Sequence, residues 1–369
     1  VPAGKALAVD RRLFATAVTA RLREHPLITI VHEEVGELPP DCGHDPQQPL
    51  ILATGPLTTA ELASSLAALT GRRHLAFYDA IAPIVAVDSL DRSVVYQASR
   101  YDDGPGDYLN CPFDRRQYEK FITALREAER VPFREFEEPG ADGSPKEPKY
   151  FEGCLPIEVM LERGDNTLRF GPMKPVGLPD PRTGSDPYAV VQLRFENREG
   201  STANMVGFQT KLKYGEQKKV FSLIPGLERA EFVRLGSVHR NTFVQAPEIL
   251  NQYLQFKDRP GLFLAGQISG VEGYVESTAM GLIAGHNAAR LSLGRPLTAP
   301  PEGTAHGALL GHLTNNAARH FQPSNVNFGL FPPLNKKLPK RQRGQYRAEL
   351  ALNALQKWRK NYNWPDSGA

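Results

Sequence analysis

The residue best placed to do covalent chemistry is Cys154, in the segment YFEGCLPIEVMLERG at residues 150–164. Pro156 suits the first position of a helix, and Glu158 falls in the first turn, where a negative charge meets the helix dipole favourably. Cys154 therefore lies just ahead of a helix N-terminus, a setting that lowers the pKa of a thiol. Glu152 opposes that shift, and a buried cysteine acting as a small hydrophobe is the alternative.

The other two cysteines are weaker candidates. Cys111, in LNCPF, also precedes a proline, but no clear helix start follows it, and Cys42 falls in a polar stretch. Three cysteines at wide spacings, with no Cys-x-x-Cys pair, predict free thiols in a reducing compartment and no structural zinc site.

A second group of residues is suited to bind a cofactor. In RPGLFLAGQISGVEGYVESTAMGLIAGHNAAR, residues 259–290, an apolar run ends at Gly266 and Gln267, and Gly270 and Gly273 precede a run rich in small residues. Glycines at the carboxyl end of a buried strand let a ligand approach the backbone, and a helix that follows points its N–H groups at an anion. The pattern predicts one wall of a dinucleotide site.

A flavin dinucleotide site of the glutathione-reductase type has three sequence features, of which two are found. ILATGP (51–56) matches an early strand that ends in Ala-Thr-Gly, and LFLAGQ (262–267) matches a late strand that ends in Gly and a polar residue. The third feature, Gly-x-Gly-x-x-Gly, is not found, and Gly104 and Gly106 come nearest to it. ILATGP alone has an ordinary strand and turn as its alternative, but both motifs in the expected order favour a flavin site.

The elements that must position these residues alternate between strand and helix at both ends of the chain, and short strands dominate the middle. The predicted helices cover residues 10–23, 59–69, 115–130 and 345–362, and the predicted strands cover 27–31, 49–53, 94–97, 168–170, 189–195, 205–208 and 231–235. No internal repeat is present.

The distribution of charge is more informative than its total, because a net charge of +3 by itself implies no partner. A basic run near the C-terminus suits a phosphate backbone, with a solvated helix face as the alternative. Its members are Lys336, Lys337, Lys340, Arg341, Arg343 and Arg347. Phe321, Phe328 and Phe331 could stack on exposed bases, although core packing is the favoured role. No apolar run approaches the ~20 residues that cross a bilayer, and no signal peptide is visible.

Ten segments spread over nearly the whole chain resemble the folate- and FAD-dependent tRNA uracil-5-methyltransferases of the TrmFO type. They are VPAGKALAVDR, ILATGPLT, FYDAIAPIV, RYDDGPGDYLNCP, YFEGCLPIEVM, LRFGPMKPVGLPDPRTG, VGFQTKLKYGEQ, FVRLGSVHRNTF, AGQISGVEGYVES and FQPSNVNFGLFPP. Several of these segments are too long and specific for chance agreement.

The resemblance implies a reaction at a uridine in the T-loop of tRNA that forms 5-methyluridine. The thiolate of Cys154 would add to C6 of the uracil, which makes C5 an enolate-like nucleophile. Methylenetetrahydrofolate would donate the carbon through the flavin, and reduced FAD, recharged by NAD(P)H, would supply the hydride. The implied partners are tRNA and folate, with no membrane and no metal, and the implied location is the cytoplasm.

The resemblance also implies binding residues. The FAD site would comprise Thr54, Gly55, Gly266, Gln267, Gly270, Glu272, Gly273 and Tyr274. In HRNTF, His239, Arg240 and Asn241 match a segment near the flavin and folate, where a histidine could stack on the pterin and an arginine could pair with a folate carboxylate. A surface or interdomain hydrogen bond is the alternative for any one of them. The six basic residues of the tail would bind tRNA.

The expected fold is α/β, an incomplete FAD-binding, glutathione-reductase-like scaffold with an inserted α+β domain and a helical C-terminal tail. Its predicted domains are the first part of the scaffold (1–88, without the Gly-x-Gly-x-x-Gly unit), an inserted α+β substrate and tRNA domain (89–249), the second part of the scaffold (250–300) and a basic helical tail (301–369).

The resemblance places a second important cysteine and the Gly-rich loop in an N-terminal segment upstream of this sequence. Because the sequence begins with Val1 rather than Met, we expect its first residue not to be the natural start. An inactive or incomplete fragment, a non-catalytic tRNA-binding remnant and the sister enzyme that modifies the wobble uridine are the alternatives.

Overall fold

The computed structural model describes residues 8–71, 75–101, 104, 106–131, 150, 155–315 and 321–362, without the side chains of residues 75–79, 239, 240 and 340. The helices are α1 (Arg11–Glu24), α2 (Ala60–Thr70), α3 (Arg115–Glu127), α4 (Ile157–Glu162), α5 (Thr167–Phe170), α6 (Tyr214–Phe221), α7 (Ala246–Ile249), α8 (Tyr274–Ser292), α9 (Ala305–Thr314) and α10 (Lys340–Asn361). The strands are β1 (Leu50–Leu52), β2 (Leu75–Ile81), β3 (Ile84–Ala86), β4 (Tyr96–Gln97), β5 (Tyr108–Phe113), β6 (Ala189–Phe195), β7 (Thr202–Met205), β8 (Phe232–Arg234), β9 (Ser237–Phe243) and β10 (Leu262–Leu264).

The chain divides into two compact units, each made of two stretches. Unit 1 comprises Val1–His32 and Tyr78–His239, and unit 2 comprises Glu33–Phe77 and Arg240–Ala369. The predicted boundaries at residues 88 and 249 fall after these structural boundaries. Which unit serves which ligand stays a prediction.

Unit 1 is built on an antiparallel sheet of six strands in the order β4-β5-β6-β7-β3-β8. Helix α3 packs on it because its apolar side chains recur at helical spacing, and Tyr118, Phe121 and Leu125 are buried. Asp114 begins α3 in a capping box with Gln117, which satisfies two backbone N–H groups at the helix start. The core between sheet and helices is rich in aromatic rings.

Unit 2 contains a two-stranded parallel sheet, in which Leu50 pairs with Leu262 and Leu52 with Leu264. All three residues of β10 are buried, as expected for a strand covered on both faces. Helix α8 packs against both strands. At the far end of the chain Trp358 of α10 is buried, and its Nε1 donates to Thr298 Oγ1 at 2.9 Å. Within the described residues, no helix is both long and apolar enough to cross a membrane.

Two predicted strands are wrong, and the strand predicted at residues 205–208 is displaced, because β7 ends at Met205. In the described chain residues 27–31 form no strand, and Leu27 is 88% exposed. Residues 168–170 belong to the one-turn helix α5, in which only Leu168 is buried. Both were short apolar runs, and such runs do not distinguish a strand from other structure. Strand β6, by contrast, has the predicted bounds of residues 189–195.

Candidate functional site

The carboxyl ends of β1 and β10 lie side by side, because the two strands run parallel and Leu52 pairs with Leu264. The N–H of Ala265 donates to the carbonyl of Leu52 at 2.9 Å and extends the pairing by one residue. Thr54 and Gly55 follow one strand, and Gly266 and Gln267 follow the other. The structure therefore brings the early and the late predicted flavin motifs to one edge of a sheet, where ligands of open α/β sheets bind.

Four glycines at this edge have a left-handed backbone, with φ of +71° at Gly55, +76° at Gly266, +89° at Gly270 and +103° at Gly273. A side chain would be strained at each of them. A Cβ at Gly55 would meet none of the described atoms within 4 Å, and one at Gly266 would come no closer than 3.8 Å to Ser277. Gly55 therefore has open space beside its backbone, as a bound ligand requires, and Gly266 has room for no more than an ordinary contact with Ser277.

Gly270 has a different role, because a Cβ there would lie 2.4 Å from the ring of Phe321. Phe321 is buried and also packs on Phe243, with ring centroids 6.1 Å apart. Gly270 therefore lets the loop after β10 close onto an aromatic side chain from the C-terminal region.

The loop between β10 and α8 is held by short polar contacts. Gln267 Nε2 donates to Glu272 Oε1 at 2.9 Å, and Ser269 Oγ donates to the carbonyl of Gly266 at 2.7 Å. Two of the predicted FAD residues, Gln267 and Glu272, are thus bonded to each other, and the contacts constrain the shape of the loop.

Helix α8 begins at this loop, and the side chains at the start of its first turn are exposed. Tyr274 is 96% exposed and Val275 is 75% exposed. The rest of α8 is anchored, because it buries Met280 and Ile283, and Asn287 Nδ2 donates to the carbonyl of Thr298 at 3.0 Å. A rigid helix of 19 residues therefore presents its positive end at the edge of the sheet.

The HRNTF segment reaches the same edge. The N–H of Thr242 donates to the carbonyl of Pro56 at 2.9 Å, and the N–H of Val244 donates to the carbonyl of Ile268 at 3.0 Å. Asn241 is buried. The side chains of His239 and Arg240 lie outside the description, so their predicted contacts stay predictions.

A fourth segment was missed as part of the site, although its motif FQPSNVNFG was noted. The N–H of Glu272 donates to the carbonyl of Ser324 at 2.9 Å, and the N–H of Ser324 donates to the carbonyl of Gly270 at 3.1 Å. The N–H of Val326 reaches Glu276 Oε1 at 3.4 Å. The C-terminal region therefore pairs with the loop after β10, and an unusual motif outside any predicted element was the one available signal.

Cys154 lies outside the described residues, and its role as nucleophile stays a prediction. The two described cysteines are in unfavourable settings for a thiolate. Cys111 is fully buried in β5 opposite Val191, and burial raises its pKa far above the ordinary value. Burial also raises the pKa of Cys42, although the nearby Arg259 opposes the shift.

The helix after Cys154 differs from its prediction at its start. Helix α4 begins at Ile157, and Pro156 precedes it at the N-cap. Glu158 lies in the first turn, as predicted, and is fully buried. Its carboxylate accepts from the hydroxyl of Thr210 and, at 3.2 Å, from the N–H of Lys211, and burial raises its pKa.

The basic tail is largely exposed. Lys336, Lys337, Arg341 and Arg343 face solvent, and Arg347 is half-buried. Helix α10 begins at Lys340 rather than at the predicted residue 345, so the later basic residues lie on the helix itself. No group of three or more His, Cys, Asp and Glu side chains in the described chain is arranged to hold a metal ion.

The chain is similar in sequence to known proteins over nearly its whole length. A family model described as "Glucose inhibited division protein A" matches residues 1–296. A protein of Desulfotalea psychrophila named methylenetetrahydrofolate--tRNA-(uracil-5-)-methyltransferase TrmFO is 62% identical over 364 residues, which are 99% of this chain and 79% of the relative. A protein of Geobacter sulfurreducens with the same name is 56% identical over 97% of this chain and 79% of its own length.

Solved structures of Aquifex aeolicus GidA share the fold. The form I crystal structure gives a TM-score of 0.59 at 16% identity, covering 83% of this chain and 54% of that one. The form II crystal structure gives 0.50 at 16% identity, covering 79% and 44%. This chain thus spans about half of the solved chains. Together with the mixed helices and sheets, the match confirms the expected α/β fold class.

Proposed function

The chain belongs to the TrmFO type within the glucose inhibited division protein A family, and from this premise we propose that it is a folate- and FAD-dependent tRNA uracil-5-methyltransferase. The 62% identity to a named TrmFO over 99% of this chain carries the proposal. The convergence of ILATGP, residues 240–243 of HRNTF, the loop after β10 and FQPSNVNFG within unit 2 supports it.

The residues at the β1–β10 edge fit a flavin dinucleotide. Gly55 leaves open space, and the N-terminus of α8 offers backbone N–H groups and a positive dipole end to an electron-rich group. We assign FAD binding to the eight predicted residues from Thr54 to Tyr274. When bound and reduced, FAD supplies the hydride that completes the methyl group, and we propose NAD(P)H as its reductant.

Asn241 and its neighbours His239 and Arg240 are proposed to bind folate. Just after them, the N–H groups of Thr242 and Val244 donate to the carbonyls of Pro56 and Ile268, which directly follow the predicted flavin residues Gly55 and Gln267. A pterin ring at this place would lie beside the flavin, as transfer of a carbon between them requires.

Cys154 is proposed as the nucleophile that adds to C6 of the target uracil, with methylenetetrahydrofolate as the carbon donor. Burial raises the pKa of Glu158, which lies in the first turn of the helix that follows Cys154. The N–H of Ile157 donates to the carbonyl of Gln209 at 2.8 Å and holds the start of α4. The basic residues of the tail are proposed to bind tRNA phosphates, and the tRNA substrate favours a location in the cytoplasm.

The test is covalent capture of tRNA that contains 5-fluorouracil, with Cys154→Ala and Cys42→Ser as a matched pair. We expect an adduct with the wild type and with Cys42→Ser, and none with Cys154→Ala. An adduct with Cys154→Ala would refute the nucleophile. Mapping the modified position then decides the substrate, since modification of the wobble uridine instead of the T-loop uridine would assign the chain to the sister activity.

A further inference from the structure

The three phenylalanines of the C-terminal region have different environments. Phe321 is buried, whereas Phe328 is 57% exposed. Phe331 is half-buried, and its ring centroid lies 5.7 Å from that of Phe328. Core packing, the favoured role from the sequence, therefore holds for Phe321 and leaves the Phe328 and Phe331 pair at the surface.

Helix α10 packs against this pair of rings. A Cβ at Gly344 would lie 3.7 Å from the ring of Phe328, so this ring rests on the second turn of the helix. The guanidinium of Arg347 lies 5.9 Å from the ring centroid of Phe331, and its Nη1 donates to the carbonyl of Pro332 at 2.7 Å. The aromatic pair and a cation are thus held together by fixed contacts.

The segment next to the pair is strongly basic. Residues 336–347 contain no acidic residue. The basic residues of this segment are Lys336, Lys337, Lys340, Arg341, Arg343 and Arg347. This charge is complementary to a polyanion, and exposed rings beside cations are the arrangement with which proteins bind unstacked bases.

A membrane surface fits less well. The exposed leucines of α10, Leu350 and Leu352, are two positions apart. They are rotated by about 200° around the helix axis and so lie on nearly opposite faces of the helix. A helix that lies on a bilayer needs one continuous apolar face.

We propose that Phe328 and Phe331 form a stacking platform for an unpaired base of RNA, and that Arg341, Arg343 and Arg347 contact the neighbouring phosphates. This inference rests on the proposed function for the identity of the RNA as tRNA. It adds to that function a base contact, which the basic residues alone do not provide.

The experiment measures dissociation constants at fixed salt for a tRNA transcript and for an RNA duplex of similar length. Phe328→Ala should weaken binding of the tRNA about tenfold and leave binding of the duplex unchanged, because only unpaired bases offer a free face. Phe328→Trp should retain binding, since it keeps an aromatic ring. Phe170→Ala is the matched control, because Phe170 is 71% exposed and its ring centroid lies 5.5 Å from the guanidinium of Arg169.

The outcomes separate this inference from the proposed function, because binding needs neither folate nor methyl transfer. Unchanged tRNA binding by Phe328→Ala, or equal losses for tRNA and duplex, would overturn the platform even in an active enzyme. An inactive protein whose tRNA binding depends on Phe328 would support the platform and refute the activity. Absence of tRNA binding by the wild type refutes the platform, as does Phe328-dependent binding to anionic phosphatidylglycerol vesicles without an effect on tRNA.

Discussion

Unit 1 surrounds a six-stranded sheet with buried aromatic rings, whereas unit 2 gathers left-handed glycines and exposed side chains at the edge of a two-stranded sheet. In unit 1 a typical core residue is Phe208, which contacts Phe121 and Phe221. At the sheet edge of unit 2, a Cβ at Gly55 would meet none of the described atoms within 4 Å, and one at Gly266 would meet only Ser277, at 3.8 Å. Large side chains fill the core of unit 1, whereas the absence of a side chain leaves the backbone accessible at Gly55 in unit 2.

The largest effect should come from removing volume in unit 1. Phe208→Ala should lower the free energy of unfolding by about 3–5 kcal/mol, because a fully buried ring is replaced by a cavity. Phe170→Ala, at a 71% exposed position of the same unit, should change it by less than about 0.5 kcal/mol. Urea unfolding measures both, and similar costs for the two variants would contradict the packing described for unit 1.

The next largest effect should come from adding volume in unit 2. Gly270→Ala should lower the free energy of unfolding by about 2–4 kcal/mol, because the new Cβ meets the ring of Phe321 at 2.4 Å and the φ of +89° strains the residue. Gly55→Ala should lower it by about 1–2 kcal/mol from strain alone.

The two glycine variants should also differ in the amount of FAD that they bind. Because the Cβ of Gly55→Ala enters open space at the sheet edge, we expect this variant to lose bound FAD although it is the more stable of the two. Absorbance of the purified proteins measures the flavin, and thermal unfolding measures stability. Wild-type flavin content in Gly55→Ala would show that the open space is not the cofactor site.

A smaller effect is expected at Glu158, a buried polar group in unit 1. Glu158→Ala should lower the free energy of unfolding by about 1–3 kcal/mol, because it removes the acceptor for the hydroxyl of Thr210 and the N–H of Lys211. Glu158→Gln, which keeps an acceptor oxygen, should cost less. Urea unfolding at one pH compares them, and equal costs would contradict a hydrogen-bonding role.

The contribution of Glu158 to folding stability should decrease as the pH rises. Burial raises its pKa in the folded state above the ordinary value, so the folded state holds this proton more tightly than the unfolded state. The contribution to stability is fully present below the ordinary glutamate pKa and is lost as pH rises through the higher folded pKa. Glu158→Gln should therefore show a smaller fall in stability than the wild type over this window, and identical pH profiles would contradict the shift.

The smallest effect is expected in the basic tail. Lys337→Gln should reduce the slope of log affinity for tRNA against log salt by about 0.7–0.9, because one phosphate contact is lost. Lys120→Gln, an equally exposed lysine on α3 of unit 1, is the control and should leave the slope unchanged. If Lys120→Gln alone changed the slope, the tRNA surface would lie in unit 1 instead of the tail.

Elements with a strong local pattern were predictable from the sequence. Helix α2 follows the prediction because Thr59 caps its start and Gly71 closes its end with a φ of +62°. Helix α3 follows from apolar residues at helical spacing. The strand predicted at residues 27–31 had an apolar pattern but finds no strand partner in the described chain, and strands need partners to form.

The candidate site was predictable only in part. ILATGP and the loop after β10 were identified because strand ends followed by glycine carry a local signal. The pairing of Ser324 with Gly270 and Glu272 joins segments far apart in sequence, and no local pattern specifies such a contact. The burial of Glu158 was missed for the same reason, since its partners Thr210 and Lys211 are remote in the chain.

By itself the sequence determined the family, the strand and helix motifs of the candidate site, the position of Cys154 before a helix and the basic character of the tail. These features depend on residue type and short spacing, which the linear chain contains. Only the tertiary structure decided which glycines face open space, which phenylalanine is buried and which segments meet at the β1–β10 edge. Such properties depend on packing between distant parts of the chain, because burial and hydrogen bonding are set by neighbours in space.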